Sequence, residues 1–328
     1  MTSLTLTCIG RQQNTHDVVS WQLAPLSGSL PPVLAGQSIT LHTEIDGLPE
    51  CRAYTLSSSP QDACWQVTIK DVGRVSRHLH QTLQVGDEIR VDGPFGGFNL
   101  TALPCERPLL LSAGSGITPM WAMLRDELAK RPDADIRFIH SARSPADVIF
   151  ADDLATLAAA HSGVRDALIL EEAPTAHPWV GRLTPAMLAE LAPDLRERHV
   201  YLCGPAPYMA AVRTMLTELG LPPEQLHQES FGLPPAEPAT TSDHFWLTLK
   251  KSGKKVKILP GQTLLAALEA AGETIMAACR AGVCGSCRCT TTGDIERQSV
   301  MTLSAQDLES GVALACSCTA KGDIGLDY

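Results

Sequence analysis

Six of the chain's eleven cysteines fall in its last fifty residues. Four lie in the stretch ACRAGVCGSCRC, Ala278 to Cys289, and two in LACSC, at Cys316 and Cys318. No other feature limits the fold so sharply. Thiols crowded onto one short loop must be tied by disulfides, closed around zinc, or wrapped about an iron–sulfur cluster. The compartment bears on the choice. The start, MTSLTLTCIGRQQ, has no basic n-region and no long apolar run, so no signal peptide is expected. No stretch approaches the roughly 18 apolar residues of a membrane span. A soluble, cytoplasmic protein with no membrane partner is expected. Disulfides are uncommon in a reducing cytosol, where clustered cysteines bind metal or do redox chemistry, and an odd total of cysteines points the same way.

The spacing is Cys279-x4-Cys284-x2-Cys287, followed by twenty-eight residues to Cys316. Zinc usually takes two short, well-separated C-x2-C pairs. Here three thiols share a compact loop and a fourth arrives alone, which matches the C-x4-C-x2-C…C spacing of plant-type [2Fe–2S] sites. Gly282, Gly285 and Ser286 let the backbone turn tightly so that amide N–H groups can point at sulfur. A structural zinc site is the bland alternative.

Elsewhere the texture changes twice. Gly232 to Asp243, GLPPAEPATTSD, has three prolines and reads as a stiff spacer. The segment after it carries 9 Lys/Arg against 8 Asp/Glu, whereas the preceding 243 residues carry 17 against 28. The net charge of −10 argues against nucleic acid as a partner. Residues 1 to about 100 show short alternating runs such as QSITLHTEI, CWQVTIKDV and DEIRVDGPF, broken by turn residues, which predicts an antiparallel barrel or sandwich. From Pro108, apolar runs alternate with amphipathic helices (PLLLSAGSG into ITPMWAMLRDELAKR, HVYLCGP into APYMAAVRTMLTELG), which predicts a parallel α/β sheet.

After the linker, FWLTLK and KKVKIL read as a hairpin and TLLAALEAAG as an amphipathic helix. With the cysteine loop, this part resembles plant-type ferredoxin domains of the β-grasp type. The resemblance assigns the metal ligands to Cys279, Cys284, Cys287 and Cys316. Cys318 could take the place of Cys316, but the family's ligand sits in the LAC element, here Leu314-Ala315-Cys316. Cys289 and Cys318 then read as small buried hydrophobes.

In CRAYTLSSSP, Arg52 and Tyr54 share one face of a strand, offering a guanidinium that can fork onto phosphate and a ring that can stack on a flat heterocycle. DVGRVSRHLH places Gly73, Val75 and Ser76 at a helix start suited to an anion, and GPFGGF follows. Together these resemble the flavin domain of the ferredoxin–NADP reductase superfamily, in its FAD rather than its FMN branch. The resemblance implies Arg52 on the flavin pyrophosphate, Tyr54 against the isoalloxazine, Thr55 near flavin N5, and the Gly73–Ser76 turn on phosphate. In LLLSAGSGITPM, Gly114, Gly116, Thr118 and Pro119 run from a strand into a helix. This is not a strict G-x-G-x-x-G, yet it permits close backbone approach to a pyrophosphate. Cys203, Gly204 and Pro205 end the last long strand, where open α/β sheets bind ligands. The same resemblance puts them beside the nicotinamide, with Glu229 and Phe231 closing the back of the flavin. Arg143 is the one cation in IHSARSPADVIF, and a tight 2′-phosphate site usually needs more than one, so NADH is favoured over NADPH.

The expected architecture is therefore multidomain: an antiparallel β-barrel FAD domain (1–103), an α/β parallel-sheet NAD domain (104–231), a Pro-rich linker (232–243) and an α+β β-grasp ferredoxin domain (244–328). The resemblance implies an NADH:acceptor oxidoreductase in which two electrons enter from NADH and leave singly through the cluster to a partner protein. Thr55, Cys203 and Glu229 act as tuning and positioning groups. RAYTLSSSP, DVIFAD, CGPAPYM, CRAGVCG and MTLSAQDLESGVALACSC most resemble the bacterial NADH oxidoreductases that reduce hybrid-cluster protein, a role in nitrosative stress. The alternative acceptor is the oxygenase component of a Rieske-type or other multicomponent oxygenase. An alternative of another class is a redox sensor that does not turn over.

Overall fold

The protein is described from a computed structural model covering residues 2–174, 176–231, 244–300 and 302–328. The Pro-rich linker expected at 232–243 lies outside the described residues. The N-terminal part holds β1 (Thr2–Thr15), β2 (Val18–Ala24), β3 (Ser38–Ile45), β4 (Leu48–Thr55), β5 (Trp65–Lys70), α1 (Arg74–Thr82) and β6 (Glu88–Phe95). Its six strands form one sheet in the order β4-β3-β6-β1-β2-β5. The pairs β1/β2, β1/β6 and β2/β5 run antiparallel. Alternation explains the choice: Glu88–Phe95 buries every second residue, so each strand offers one face to a core and one outward.

The pattern then changes to β7 (Pro108–Ala113), α2 (Ile117–Lys130), β8 (Ile136–Ala142), α3 (Ala151–Ala160), β9 (Val164–Leu170), α4 (Pro185–Leu191), β10 (His199–Cys203), α5 (Ala206–Glu218) and β11 (Leu226–Glu229). These strands form a parallel sheet in the order β11-β10-β7-β8-β9. All six residues of β7 are buried, as a strand covered on both faces requires. The chain moves outward from β7 through β8 to β9, then crosses to β10 on the other side of β7. The topological switch point, where ligands bind in such sheets, therefore lies between the carboxyl ends of β7 and β10. Two apolar layers flank this sheet. One packs Leu110, Phe138 and Tyr201 against α2. The other packs Leu111, Ile139 and Leu202 against Met209, Val212 and Leu216 of α5.

The C-terminal part holds β12 (Phe245–Leu249), β13 (Lys255–Ile258), α6 (Leu264–Ala270), β14 (Arg288–Thr292), β15 (Ile295–Arg297), α7 (Ala305–Glu309), β16 (Val312–Leu314), β17 (Cys318–Ala320) and β18 (Ile324–Asp327). A mixed sheet runs β13-β12-β18-β14-β16, with β12/β18 parallel and its other pairs antiparallel. The expected hairpin and helix are present as β12/β13 and α6.

The chain divides into two compact units. One comprises Met1–Ile39 with Tyr54–Ser230, so most of the antiparallel strands and the whole parallel sheet form one body. The other comprises Thr40–Ala53 with Phe231–Tyr328. The grouping of Thr40–Ala53 with the C-terminal part was not anticipated. It rests on contacts far apart in sequence, such as the Ala53 amide donating to the Ala278 carbonyl at 3.3 Å. Among the described residues, no helix is long and apolar enough to cross a membrane.

Candidate functional site

The cysteine loop has the geometry its small residues suggested. Gly282 and Gly285 both have φ of 72°, a conformation that favours glycine. At Gly282 a side chain has no room as well, because a Cβ would lie 2.7 Å from Ser299 Cβ and 2.8 Å from Ser317 Cβ. The tight turn aims amides at sulfur. Ala281 and Val283 N–H each donate to Cys279 Sγ at 3.4 Å, Gly282 N–H to Cys316 Sγ at 3.2 Å, and Cys316 N–H to Cys287 Sγ at 3.4 Å. Ser286 Oγ accepts from the Ala278 amide at 2.8 Å and lies 3.1 Å from Cys284 Sγ. The four thiols converge in a chain in which Cys279 meets Cys284 and Cys316, and Cys316 meets Cys287. Hydrogen bonds from the Cys284 and Cys316 thiols, then from the Ala281 and Val283 amides, hold the Cys279 thiol far below its ordinary pKa. A site that gathers four thiols and surrounds sulfur with N–H donors fits an iron–sulfur cluster. Among the described residues, no three His, Cys, Asp or Glu side chains are grouped around a single-ion position.

Cys289 and Cys318 are near neighbours of Cys287, and Cys289 Sγ donates to the Ala313 carbonyl at 3.6 Å. Both sit in the apolar core of the C-terminal sheet. Burial pushes the Cys289 thiol up to about 12 and raises Cys318 as well. No disulfide joins the eleven cysteines.

In the parallel sheet, the Gly-rich turn and the Cys-Gly-Pro element flank the switch point. β7 ends at Ala113, Gly114–Gly116 form one 3-10 turn, and α2 begins at Ile117. Gly114 has φ of 51°. Gly116 has ordinary dihedrals, but a Cβ there would lie 2.3 Å from the Cys203 carbonyl oxygen and 2.7 Å from Gly204 N. Its role is close approach of two backbones. Thr118 and Pro119 are buried in the first turn of α2, and Thr118 Oγ1 donates to the Ser115 carbonyl at 3.0 Å. Cys203 is fully buried; burial, and secondarily the Glu229 carboxylate, drive its pKa well up, so the thiol stays protonated. Glu229 stands opposite Cys203 in the β10/β11 register. Gly204 and Pro205 form the turn into α5. Phe231 is 48% exposed.

Replacing Gly116 by alanine should force the Gly-rich turn and the Cys-Gly-Pro turn apart. We expect NAD+ affinity to fall roughly tenfold or more, since small misplacements of a binding surface have large effects. Isothermal titration of the FAD-loaded protein measures it; unchanged affinity would mean that this crevice does not bind the nucleotide.

Around the flavin segment, β4 puts Arg52 and Tyr54 on one face of the strand, and Thr55 ends it, 4% exposed. Arg52 Nη1 donates to its neighbour's carbonyl, Cys51 O, at 2.7 Å and lies 3.6 Å from Glu50. Thr55 Oγ1 accepts from Ser38 Oγ at 3.4 Å. Gly73 is extended, not left-handed, and a Cβ there would meet nothing within 4 Å. The space above the amino end of α1 is therefore open, as an arriving phosphate needs. Ser76 Oγ accepts from the Val72 and Gly73 amides at 3.1 and 2.9 Å. The hydroxyl thus serves the helix start, which leaves the backbone amides of Val75 and Ser76 as the groups able to meet an anion.

Three features went unnoticed in the sequence. Arg143 is exposed, and its carbonyl accepts from Glu172 N at 2.7 Å while Ala142 O accepts from Glu171 N at 3.1 Å. Two carboxylate residues thus border the expected adenosine region. Tyr208 packs on the Cys-Gly-Pro turn, its Cδ1 2.9 Å from where a Gly204 Cβ would stand. Asp62 and Arg125 join the segment after β4 to α2. Only the Glu171-Glu172 pair was visible as a local signal; the others depend on distant partners.

Comparison with known proteins identifies an oxidoreductase with flavin, pyridine-nucleotide and iron–sulfur domains. Residues 12–100 match the oxidoreductase FAD-binding domain family, residues 110–214 the oxidoreductase NAD-binding domain family, and residues 247–321 the 2Fe-2S iron-sulfur cluster binding domain family. The chain is 35% identical to the glycine betaine monooxygenase reductase subunit of Chromohalobacter salexigens, over 98% of this chain and 94% of that protein. It is 36% identical to the NADH oxidoreductase HCR of Escherichia coli, over 92% of this chain and 90% of that protein. The structure of phthalate dioxygenase reductase matches with a TM-score of 0.64 at 25% identity, covering 99% of this chain and 98% of that one. The chain belongs to the ferredoxin–NADP reductase-like family of iron–sulfur flavoprotein reductases.

Proposed function

We propose that this reductase takes electrons from NADH and delivers them to the oxygenase component of a multicomponent oxygenase. The observation that carries the acceptor is the near full-length likeness to a monooxygenase reductase subunit, joined by the structural match to phthalate dioxygenase reductase over 99% of this chain. This reverses the order of the two acceptors expected from sequence. Hybrid-cluster protein remains the second reading, supported by 36% identity to the HCR oxidoreductase. NADH rather than NADPH is supported by Arg143 being the one Lys or Arg of IHSARSPADVIF, with the Glu172 backbone against it and Glu171 paired to Arg182 at 3.4 Å. The eleven free thiols suit the reducing cytoplasm.

FAD takes up two electrons at once and releases them singly, and a [2Fe–2S] cluster carries one at a time. The chain's own residues bind and orient. Arg52 and the amides of Val75 and Ser76 would hold the flavin phosphates, and Tyr54 and Thr55 would serve the ring. Gly114, Gly116, Thr118 and Pro119 shape the nucleotide crevice, with Cys203, Gly204, Pro205 and Glu229 at the nicotinamide end, Phe231 beyond and Arg143 toward the adenosine. Cys279, Cys284, Cys287 and Cys316 hold the cluster. The fully buried thiol of Cys203 stays protonated and does not act as a nucleophile.

The test is anaerobic. NADH and this protein are mixed with a terminal oxygenase component or with hybrid-cluster protein, and bleaching of the acceptor's visible absorbance is followed, with cytochrome c as a control. Fast reduction of the oxygenase component supports the proposal. Fast reduction of hybrid-cluster protein alone transfers the function to the second reading. Failure to oxidise NADH with any acceptor would leave a sensor.

A further inference from the structure

The segment that follows β4 is unusually well fixed for a connection. Ser57, Ser58 and Ser59 are all buried. Ser57 N–H donates to the Gln66 carbonyl at 2.8 Å, Ser57 Oγ lies 2.8 Å from Thr68 Oγ1, and Ser58 Oγ accepts from Gln66 N at 3.0 Å. Asp62 closes the turn: its carboxylate accepts from Ser59 N at 2.9 Å, and its own N–H donates to Ser59 O at 3.0 Å. Thr55, at the head of this segment, is thereby held in place.

The same turn grips α2. Arg125 donates to both Asp62 oxygens, Nη1 to Oδ2 at 2.7 Å and Nη2 to Oδ1 at 2.8 Å. This is the two-pronged geometry that fixes direction as well as distance. One residue along on each side, Gln61 Nε2 donates to Asp126 Oδ1 at 2.8 Å, and Asp126 Oδ2 accepts from Lys130 at 2.6 Å. Asp126 is 5% exposed, so the second link is shielded from water. Arg125 is braced from below, its guanidinium 5.8 Å from the Trp121 ring, which stacks on Phe150 at 5.3 Å. The other end of α2 begins at Gly116 and Thr118, against the backbone of Cys203.

A rigid helix thus has its amino end at the nucleotide crevice and its middle clamped to the turn that follows Thr55. We infer that Asp62 and Arg125, seconded by Gln61 and Asp126, are positioning residues that set how closely the nicotinamide approaches the flavin. This rests on the reading that the Thr55 segment borders the flavin and the Gly114–Pro119 segment the nucleotide. The pair touches neither reactant. It acts by holding two binding surfaces at one spacing, which hydride transfer from NADH to FAD requires to within a fraction of an ångström.

The test uses the full-length, FAD-loaded protein. Flavin reduction by NADH is followed by anaerobic stopped flow, with ordinary and 4-deuterated NADH. Arg125→Ala and the near-isosteric Asp62→Asn should each slow flavin reduction roughly 10- to 100-fold and change the primary isotope effect. FAD content and NAD+ affinity should stay within about threefold of the parent, a margin below one tenfold step in binding. The double variant should be no slower than the worse single one, as residues acting through one contact are not additive. Parental rates and isotope effects in Asp62→Asn and Arg125→Ala would overturn the inference, as would rates that fall only in step with lost FAD. If the parent's FAD were not reduced by NADH at all, the underlying reading would fail instead, and the two failures are distinct.

Discussion

Cys284→Ser should lose electron delivery to a protein acceptor while keeping NADH–ferricyanide activity. Cys284 is 1% exposed, so no water can readily replace the missing sulfur. It meets Cys279 within the chain of thiols and lies against Ser286 Oγ at 3.1 Å. A serine hydroxyl is harder, shorter and far less acidic than a thiol, and iron–sulfur clusters are held by thiolate. Altering groups that merely support metal ligands costs 10–100-fold, so losing a ligand should reduce acceptor turnover by at least about 100-fold. Ferricyanide can take electrons from the flavin directly, and the hydrogen bonds of Cys284 Sγ stay within the cysteine loop, to Cys279 N–H and Ser286 Oγ. The check is paired: both activities on one preparation, with iron and zinc analysis and the visible spectrum after flavin removal. Survival of both activities unchanged would take the cluster off the electron path. Zinc in a colourless parent protein would sink the iron–sulfur assignment itself.

The contrast between what the sequence revealed and what it hid follows from where the interactions lie. The cysteine loop was legible because its chemistry is local: ligand spacing, two left-handed glycines and the amides that reach sulfur all fall within ten residues, save Cys316. The parallel sheet was legible because strands buried on both faces make continuous apolar runs, and its two turns carry glycines for identifiable reasons. Gly116 is one of these, although its reason proved to be contact with Cys203 and not its own dihedrals. The short strand β11 and helix α4, and β9 with its exposed Arg165 and Asp166, left weaker patterns. The role of Ser76 was only half legible. A hydroxyl at a helix start can meet a phosphate or cap the helix, and the structure commits it to the Val72 and Gly73 amides. The Asp62–Arg125 clamp was invisible because its partners lie 63 residues apart. So was the pairing of Thr40–Ala53 with the C-terminal part.

The same limit hid a charge network at the amino ends of β7, β8 and β10, and it supports the second large expectation. Asp194→Ala should lower the stability of the protein by about 3 kcal/mol, the lower end of the range for breaking a buried ion pair. Arg198 is 1% exposed, and it donates to Asp194 through Nε at 2.9 Å and Nη2 at 2.8 Å. Arg137 reaches Asp194 at 3.0 Å, and Arg107 reaches it too. Three cations thus share one carboxylate, and the substitution leaves a buried guanidinium with Asp135 as its remaining carboxylate, at 2.8 Å. That remaining partner is why the lower end of the range applies. The corresponding fall in melting temperature is roughly 10 °C for a unit of this size. The pH dependence has a definite sign. Hydrogen bonds from Arg198 and then Arg137 hold the Asp194 carboxyl well below the usual carboxylate range. A depressed folded-state pKa gives stabilisation that is complete above the unfolded value of about 3.9 and is lost as pH falls toward the folded one. The parent should therefore lose stability steeply below about pH 4, and Asp194→Asn should show a shallower slope there, because it has no such proton to take up. Calorimetric melting at pH 7 and across the acid range checks both. Identical acid slopes in parent and Asp194→Asn would mean that other carboxylates govern acid unfolding. A melting temperature at pH 7 that Asp194→Ala leaves unmoved would mean that Asp135 alone suffices to hold Arg198.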